Sequence, residues 1–264
     1  MSNEAIKNFL DGFSIEVTPR AAAKIDNFAE LIPKGTLIYI AHIEGTPIEE
    51  MVATAKKINE QGFSPMPHFP ARIIKDKNVL QDWISKYQNE ANVKNGLLIA
   101  GGANKPYGEY DSSIQLIESE LFDKADFQNL HIAGHPEGSM DIDPDGSTKN
   151  VDQALSWKNE FSKRTDAKMA ITTQFSFDAD SVITWANNVK ESGIDIPIHI
   201  GIAGPAKLQT LLRYSIECGV GASIKIIQKR AMDLTKLLLP YKPTNIITEL
   251  ATHKANNPSF NIEK

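Results

Sequence analysis

Hydrophobic and polar residues follow one another along this chain in two recurring patterns. Short apolar runs such as "GTLIYIAH", "NGLLIAGG" and "IPIHIGIAG" have the length and composition of β-strands that are covered on both faces. Longer segments such as "PIEEMVATAKKINEQG" and "ADSVITWANNVKESG" carry apolar residues at the spacing of an amphipathic helix. The strict alternation of the two patterns predicts a parallel sheet with helical crossovers.

Such a sheet can be open and doubly wound or closed into a barrel. The first predicted strand is not followed by a GxGxxG dinucleotide-binding motif, and polar residues stand at the carboxyl ends of nearly every strand. Both observations favour the barrel. We therefore predict an α/β protein that forms a single-domain (β/α)8 TIM barrel over residues 1–264. It would have extra helices near the C-terminus and a short or truncated last strand at "FNIEK".

Composition excludes several function classes. The net charge is -5 and charges of both signs are interspersed, so we expect neither nucleic acid nor a membrane surface as a partner. Cys218 is the only cysteine, which excludes an internal disulfide and fits a reducing compartment. The N-terminus does not resemble a signal peptide, and no apolar run reaches the roughly 18 residues of a membrane span. We expect a cytoplasmic protein with small, soluble partners.

Candidate chemistry collects where the predicted strands end. In "FSIEVTPR", Glu16 stands where a strand gives way to a loop and a helix. The carboxyl ends of parallel barrel strands share one face, so residues far apart in sequence are expected to line one pocket there. The other strand ends contribute His42, His68, Gly101 to Asn104, His135 to Glu137, Thr173 to Asp178, and Gly201 to Pro205.

The order of these segments resembles a known family. "FSIE..P", "PHF", a glycine-rich fourth strand end, "HPEG", "TQFSFD" and "PIHIGIAGP" are similar to motifs of methylenetetrahydrofolate reductases, flavin-dependent enzymes built on an eight-stranded barrel. The resemblance spans nearly the whole chain. It implies an oxidoreductase of one-carbon metabolism and methionine biosynthesis that interconverts 5,10-methylenetetrahydrofolate and 5-methyltetrahydrofolate. FAD would be bound, NADH or NADPH would exchange, tetrahydrofolate derivatives would be the partners, and a homo-oligomer is compatible with the sequence.

The resemblance implies that Glu16 is the acid that protonates a folate nitrogen and so helps to open the imidazolidine ring. A partly desolvated carboxyl at the mouth of an apolar barrel is expected to have a raised pKa and to hold a proton near neutral pH. The alternative is a carboxylate that caps a loop or pairs with Arg20.

Folate binding is assigned by the same resemblance to Gln174, Phe175, Tyr214 and position 103. The amide of Gln174 is suited to hydrogen-bonding a pterin edge, and an aromatic side chain can pack beside a ring. The alternatives are a glutamine that satisfies loop backbone and a tyrosine on the packed face of an amphipathic helix.

For the flavin, the resemblance indicates a larger group of residues. A flavin requires a concave apolar wall with a few hydrogen-bond donors. Metal binding by the histidines is the alternative, but the chain has no HExxH motif and no cysteine partner, so we expect no metal. The flavin residues are Ala41, His68, Gly102, Tyr110, His135, Asn159 and Lys163.

Two positions depart from the family pattern. An aspartate beside the flavin and folate is replaced by Ala103 in "GGAN", and a threonine near the flavin is replaced by Ala41. Without that carboxylate the flavin is expected to be easier to reduce. The departures leave two other interpretations open, namely a non-catalytic folate- or flavin-binding barrel and a folate-dependent methyl-transfer enzyme.

Two further motifs have ordinary structural explanations. "DIDPDGSTKNVD" imitates a calcium loop but lacks the terminal glutamate and contains Pro144, so we interpret it as a solvated loop. "CGVGAS" fits either a phosphate-binding helix N-terminus or a turn between two helices.

Overall fold

The computed structural model describes residues 3–217 and 241–264. Seven strands are ordered along the sheet as they are along the chain, and the pairs from the first to the fifth strand are parallel, as is the last pair. The protein is therefore an α/β protein with a parallel sheet, as its sequence predicts. The strands are β1 (Ile15–Val17), β2 (Leu37–Ile40), β3 (Ser64–Pro70), β4 (Asn95–Ile99), β5 (Asn129–Gly134), β6 (Lys168–Thr173) and β7 (Ile198–His199).

Helices connect successive strands, and short 3-10 helices occupy Phe28–Glu30 and Ala71–Ile73. In the described ranges every helix is too short or too polar to cross a membrane. The α-helices are α1 (Asn3–Phe9), α2 (Pro19–Ala22), α3 (Ile48–Glu60), α4 (Lys77–Ala91), α5 (Ser113–Glu118), α6 (Leu121–Lys124), α7 (Lys149–Ser162), α8 (Ala179–Glu191), α9 (Leu208–Glu217) and α10 (Thr244–Asn256).

The predicted closed barrel of eight strands is not confirmed. Seven strands are present in the part of the chain that the structure describes, and the segment "FNIEK" adds only one parallel bridge, between Ile198 and Ile262. The N–H of Ile198 donates to the carbonyl of Asn261 at 3.1 Å, and the N–H of Glu263 donates to the carbonyl of Ile198 at 2.8 Å. The segment thus pairs with β7 over too few residues to form a regular strand.

Contacts between Cα atoms divide the chain into two compact units. We call Gly12–Ala133 with Ser162–Ala170 the β1–β5 unit. The described parts of Met1–Asp11, Gly134–Phe161 and Ile171–Lys264 are the β7 unit. The single domain expected over residues 1–264 stays a prediction.

In the β1–β5 unit, the two faces of β3 serve different purposes. The ring of Phe69 is fully buried and contacts Tyr87, Phe122 and Phe127 edge-on, with centroids 5.0 to 6.0 Å apart. Side chains alternate between the faces of a strand, so the neighbouring His68 points the other way. That opposite face carries Met66, which packs with Tyr39 and Leu97. The aromatic cluster therefore anchors the strand that presents His68.

The β7 unit has its own core. Phe177, Ala203, Leu211 and Tyr241 are buried together, and Phe175 packs against them. The N–H of Tyr241 donates to the carbonyl of Ala206 at 2.9 Å. In the same unit α10 packs against α1 and α8. This core supports the segment that follows β6.

Candidate functional site

Glu16 and His68 form an ion pair in the β1–β5 unit when the imidazole is protonated. Oε2 of Glu16 lies 3.2 Å from Nε2 of His68, at an angle that departs from that of an aligned hydrogen bond. The side chain of His68 is 11% exposed, whereas that of Glu16 is 55% exposed. Glu16 is consequently the member of the pair that solvent or a ligand can reach.

The charge state of Glu16 differs from the sequence-based expectation. Surrounding protein removes water from its carboxyl group and raises the pKa, but the contact with His68 and its charge outweigh this, so the pKa of Glu16 is lowered overall. The expectation of a raised pKa was wrong, because it took account of the apolar surroundings but not of a cationic neighbour. The contact of Glu16 is with His68, two strands away, instead of Arg20.

More rings surround the pair. The Tyr39 ring lies edge-on to His68, with centroids 6.4 Å apart, and its hydroxyl lies 2.7 Å from Nδ1 of His131. His42 stacks on Trp83 at 4.9 Å, and its Nε2 lies 2.9 Å from the carbonyl of Thr46. Burial lowers the pKa of His42, and the positive charge of His68 lowers it further. The pair therefore lies among packed aromatic rings.

The loop after β4 contains three of the predicted residues. Ala103 is buried, and its carbonyl accepts a hydrogen bond of 3.3 Å from Nη1 of Arg72, which is also paired with Asp111. Gly102 is exposed, and a Cβ built on it would meet no atom within 4 Å. Tyr110 is buried, which raises the pKa of its hydroxyl. Arg72 thus holds the backbone of this loop in place.

Ala41, the remaining predicted flavin residue on these strands, is buried at the end of β2. Its N–H donates to the carbonyl of Val17 at 2.8 Å, which continues the β1–β2 ladder by one residue. This hydrogen bond joins Ala41, which precedes His42, to Val17, the residue that follows Glu16.

In the β7 unit, His135 lies near a buried lysine. Burial lowers the pKa of His135 to about 4, and the charge of Lys158 contributes, against smaller opposing effects of Asp141 and Asp143. Burial lowers the pKa of the Lys158 ammonium to about 8. That ammonium has no hydrogen bond or ion pair with any residue in the described ranges. The cluster therefore combines an ammonium and an imidazole whose neutral forms burial favours, with the carboxylates of Asp141 and Asp143 close enough to act on His135.

Sequence reasoning missed Lys158, although the sequence contains a signal for it. The buried positions of α7 are Val151, Leu155, Lys158, Asn159 and Phe161, which form one face of the helix. A lysine on an apolar face is rarely buried without a partner. Its position on that face could have identified it as a candidate for binding an anion.

Two predicted flavin residues lie at or near the end of the same helix. Asn159 is buried, and its Nδ2 donates to the carbonyl of Gly193 at 3.4 Å. Lys163 is exposed and follows the end of α7. Asn159 shares the buried face with Lys158, whereas Lys163 lies in the chain segment that belongs to the β1–β5 unit.

The predicted folate residues follow β6. Gln174 is exposed, its N–H donates to the carbonyl of Gly134 at 3.4 Å, and its side-chain oxygen accepts from the N–H of Phe175 at 3.1 Å. Phe175 is partly buried and lies edge-on to Phe177, with centroids 5.6 Å apart. Tyr214 lies on α9, but its side chain is outside the described residues.

The acidic loop between β5 and α7 acts as a helix cap. Asp143 is buried, and its carboxylate accepts from the N–H groups of Asn150 and Val151 at 3.0 and 3.1 Å. These donors lie in the first turn of α7, where backbone N–H groups lack partners within the helix.

The described residues contain no cluster of three or more ligands that could hold a metal ion. Cys218 and "CGVGAS" lie outside the described residues.

Comparison with known proteins finds similarity over one segment of the chain. No family model matches it. A segment of 74 residues, 28% of the chain, is 38% identical to methylenetetrahydrofolate reductase 1 of Schizosaccharomyces pombe. That segment covers 11% of the length of the yeast protein. The similarity therefore concerns a small part of the relative.

Proposed function

We propose that this protein is a folate-related oxidoreductase. It would interconvert 5,10-methylenetetrahydrofolate and 5-methyltetrahydrofolate, with bound FAD and with NADH or NADPH as the exchanging co-substrate. The observation that carries the proposal is Glu16, an accessible carboxylate at the end of β1 that contacts a buried histidine. The partial similarity to a methylenetetrahydrofolate reductase supports the same class of reaction.

The Lys158 cluster supports the binding of a dinucleotide. A buried ammonium without a negative partner is unfavourable, and a phosphate group would supply both charge and hydrogen-bond acceptors. His135 and Asn159, which the resemblance assigns to the flavin, lie near Lys158 or on the same helix face. FAD, when bound, supplies the two-electron carrier between nicotinamide and folate.

The remaining roles belong to the residues of the chain. Glu16 would pass a proton to a folate ring nitrogen, so that the carbon–nitrogen bond opens and the carbon becomes electrophilic. Gln174 is exposed and would turn its amide from the backbone of Phe175 toward the edge of a pterin. His135, neutral at physiological pH, would act as a hydrogen-bonding group without adding charge.

A non-catalytic folate- or flavin-binding protein is the second candidate. The observation that favours it is Ala103, which is buried where the resemblance expects an aspartate. Its backbone carbonyl is already bound by Arg72. Position 103 therefore contributes no carboxylate to tune a flavin.

The decisive experiment follows the two half-reactions separately. The purified protein should be yellow, and NADH or NADPH should bleach its flavin absorbance. Glu16→Gln should retain FAD and its reduction by nicotinamide but slow the folate half-reaction by roughly 10²- to 10⁴-fold, the usual contribution of a general acid.

Glu60→Gln is the matched control, since Glu60 is an exposed residue of α3 whose carboxylate is paired with Lys56 of the same helix. Its rates should equal those of the wild type. A colourless protein that does not rebind FAD would overturn the oxidoreductase and favour the non-catalytic candidate. Equal folate rates for Glu16→Gln and the wild type would remove Glu16 from the mechanism.

A further inference from the structure

Strand hydrogen bonds, not loops, fix the relative positions of Glu16 and His68. Glu16 is in register with Tyr39 of β2, and Pro67, which precedes His68, is in register with Ile40. The imidazole is nearly buried, whereas more than half of the Glu16 side chain is exposed. A ligand at the end of β1 therefore meets the carboxylate first and has the imidazole behind it.

The lowered pKa of Glu16 raises a chemical question about the proposed acid. A carboxyl group with a depressed pKa is ionised near neutral pH and cannot itself donate a proton at rest. Oε2 of Glu16 and Nε2 of His68 are close enough for a proton to move between them once their alignment improves. Catalytic contacts are often loose in a ligand-free protein and tighten in the complex.

We propose that His68 is a positioning residue that holds the proton which Glu16 delivers to the substrate. This inference rests on the proposed function. The proton moves from Nε2 of His68 to Oε2 of Glu16, and from Glu16 to the ring nitrogen of the folate. The carbon–nitrogen bond would break with its electron pair going to that nitrogen, which leaves the carbon electrophilic, and FAD, when bound and reduced, would supply the hydride that this carbon needs. His68 is left neutral and regains a proton from solvent.

The other groups that face His68 fit this role. On β2 they are Tyr39, whose hydroxyl is bonded to His131 of β5, and His42, which lies at the strand end. On β4 the residue in register with His68 is the apolar Leu97. The charge of His68 lowers the pKa of His42 and so disfavours its protonation. Of these two imidazoles, His68 is therefore the one that holds the proton, beside Glu16.

The first test uses the full-length protein and needs no activity. The carboxyl carbon of Glu16 is titrated by ¹³C NMR in the wild type and in His68→Gln. Removing His68 removes both effects that lower the pKa of Glu16, so the titration midpoint of Glu16 should rise. His42→Gln is the matched control and should leave the midpoint of Glu16 unchanged, because His42 stacks on Trp83 and its Nε2 lies 2.9 Å from the carbonyl of Thr46.

The second test separates positioning from folding. His68→Gln should slow the folate half-reaction, measured per bound flavin, by about tenfold or more and change its pH profile. Should His68→Gln fail to fold, Glu16→Asp takes its place, because the shorter side chain withdraws the carboxylate from His68. Its midpoint should then be depressed less from the ordinary value of an aspartate than that of Glu16 is from the ordinary value of a glutamate.

The outcomes for this inference and for the proposed function are distinct. An unchanged Glu16 midpoint, or an unchanged folate rate in His68→Gln, would overturn the role of His68 even in an active reductase. A raised midpoint in a protein that binds neither FAD nor folate would establish the pair while refuting the oxidoreductase.

Discussion

Two histidines of this protein have opposite electrostatic surroundings. His68 contacts Glu16, a group of opposite charge, at 3.2 Å. His135 is partly buried near the ammonium of Lys158, and both groups have lowered pKa values. In the first pair, each group has a neighbour of opposite charge when His68 is protonated. In the second, burial disfavours the charged form of Lys158, and the proposed phosphate of a dinucleotide would offset this cost to stability.

Replacing Lys158 tests the contrast most directly. Lys158→Met keeps the shape of the side chain and removes its charge, so the free energy of unfolding of the ligand-free protein should rise by up to about 3 kcal/mol at pH 7, at about 1.4 kcal/mol per pKa unit. FAD affinity should fall by roughly 10- to 150-fold, the usual effect of losing a hydrogen bond to a charged group. Urea denaturation and flavin fluorescence measure the two effects.

Lys57→Met is the control for a lysine with partners. The ammonium of Lys57 donates to the carbonyls of Ala22 and Ile25, so its loss should lower stability and leave FAD binding unchanged. The pKa of Lys158 is about 8 in the folded protein and 10.5 as a free group, so the unfolded chain binds more protons between these values. The free energy of unfolding of the wild type should therefore increase as pH rises from about 8 to 10.5. Lys158→Met should lack that gain. A loss of stability in Lys158→Met would show that a partner satisfies the ammonium.

The pH dependence of stability tests the other half of the cluster. The pKa of His135 is about 4 in the folded protein and 6.5 as a free group, so the unfolded chain binds more protons between these values. Stability due to His135 is complete above pH 6.5 and is lost as pH falls toward 4, by at most about 3 kcal/mol.

The measurement compares urea denaturation of the wild type and His135→Gln from pH 7 to 4. Carboxylates such as Glu16 also lose stabilising interactions on acidification, but they do so in both proteins. The wild type should therefore lose more stability than His135→Gln over this range. If the free energies of unfolding of the two proteins fall equally with pH, His135 is in contact with water, and its surroundings do not differ from those of His68 in the way described.

Gln174→Ala asks whether the β7 unit also binds folate. Removing an amide that a bound pterin needs should weaken folate binding by roughly 1 to 3 kcal/mol, because the partner is left unpaired. In the free protein this amide bonds only to the neighbouring backbone, so stability should change little. Isothermal calorimetry with 5-methyltetrahydrofolate measures the affinity. A loss of FAD with unchanged folate affinity would reassign the end of β6 to the flavin.

The smallest effect concerns two hydroxyl groups. The hydroxyl of Tyr87 is fully buried and has no hydrogen-bond partner in residues 3–217 and 241–264, and burial raises its pKa. Tyr87→Phe should therefore leave stability unchanged or raise it by about 1 kcal/mol. Tyr39→Phe, which removes the bond to His131, should lower it by about the same amount. Thermal unfolding of both variants gives the comparison, and a destabilised Tyr87→Phe would reveal a partner such as buried water.

Local patterns predicted the elements well where the backbone is regular. "SPMPHFP" is β3 itself, and most helices begin and end near their amphipathic segments. "DSSIQLIESELFDKA" forms two helices because Glu120 adopts a left-handed conformation, with φ of 60°. "IPIHIGIAG" contains only the short β7, and a Cβ at Gly201 would lie 2.6 Å from the carbonyl of Thr173. Such close approaches depend on the neighbouring strand and are not visible in a single segment.

The candidate site was predictable in position but not in partnership. The end of β1 identified Glu16, yet its contact with His68 depends on β3 and on the directions of two side chains. The buried face of α7 would have indicated Lys158 from helical spacing alone. Its isolation from counter-charges is a property of the packed structure.

The bridge at Ile262 has a consequence for handling the protein. Residues 261–264 occupy hydrogen-bonding groups of β7, and Glu263 also lies 3.0 Å from Nε2 of His199. Without them, β7 would present unpaired backbone donors and acceptors to other molecules, and such exposed strand edges promote aggregation. A chain shortened after Phe260 should therefore scatter more light on storage than the full chain.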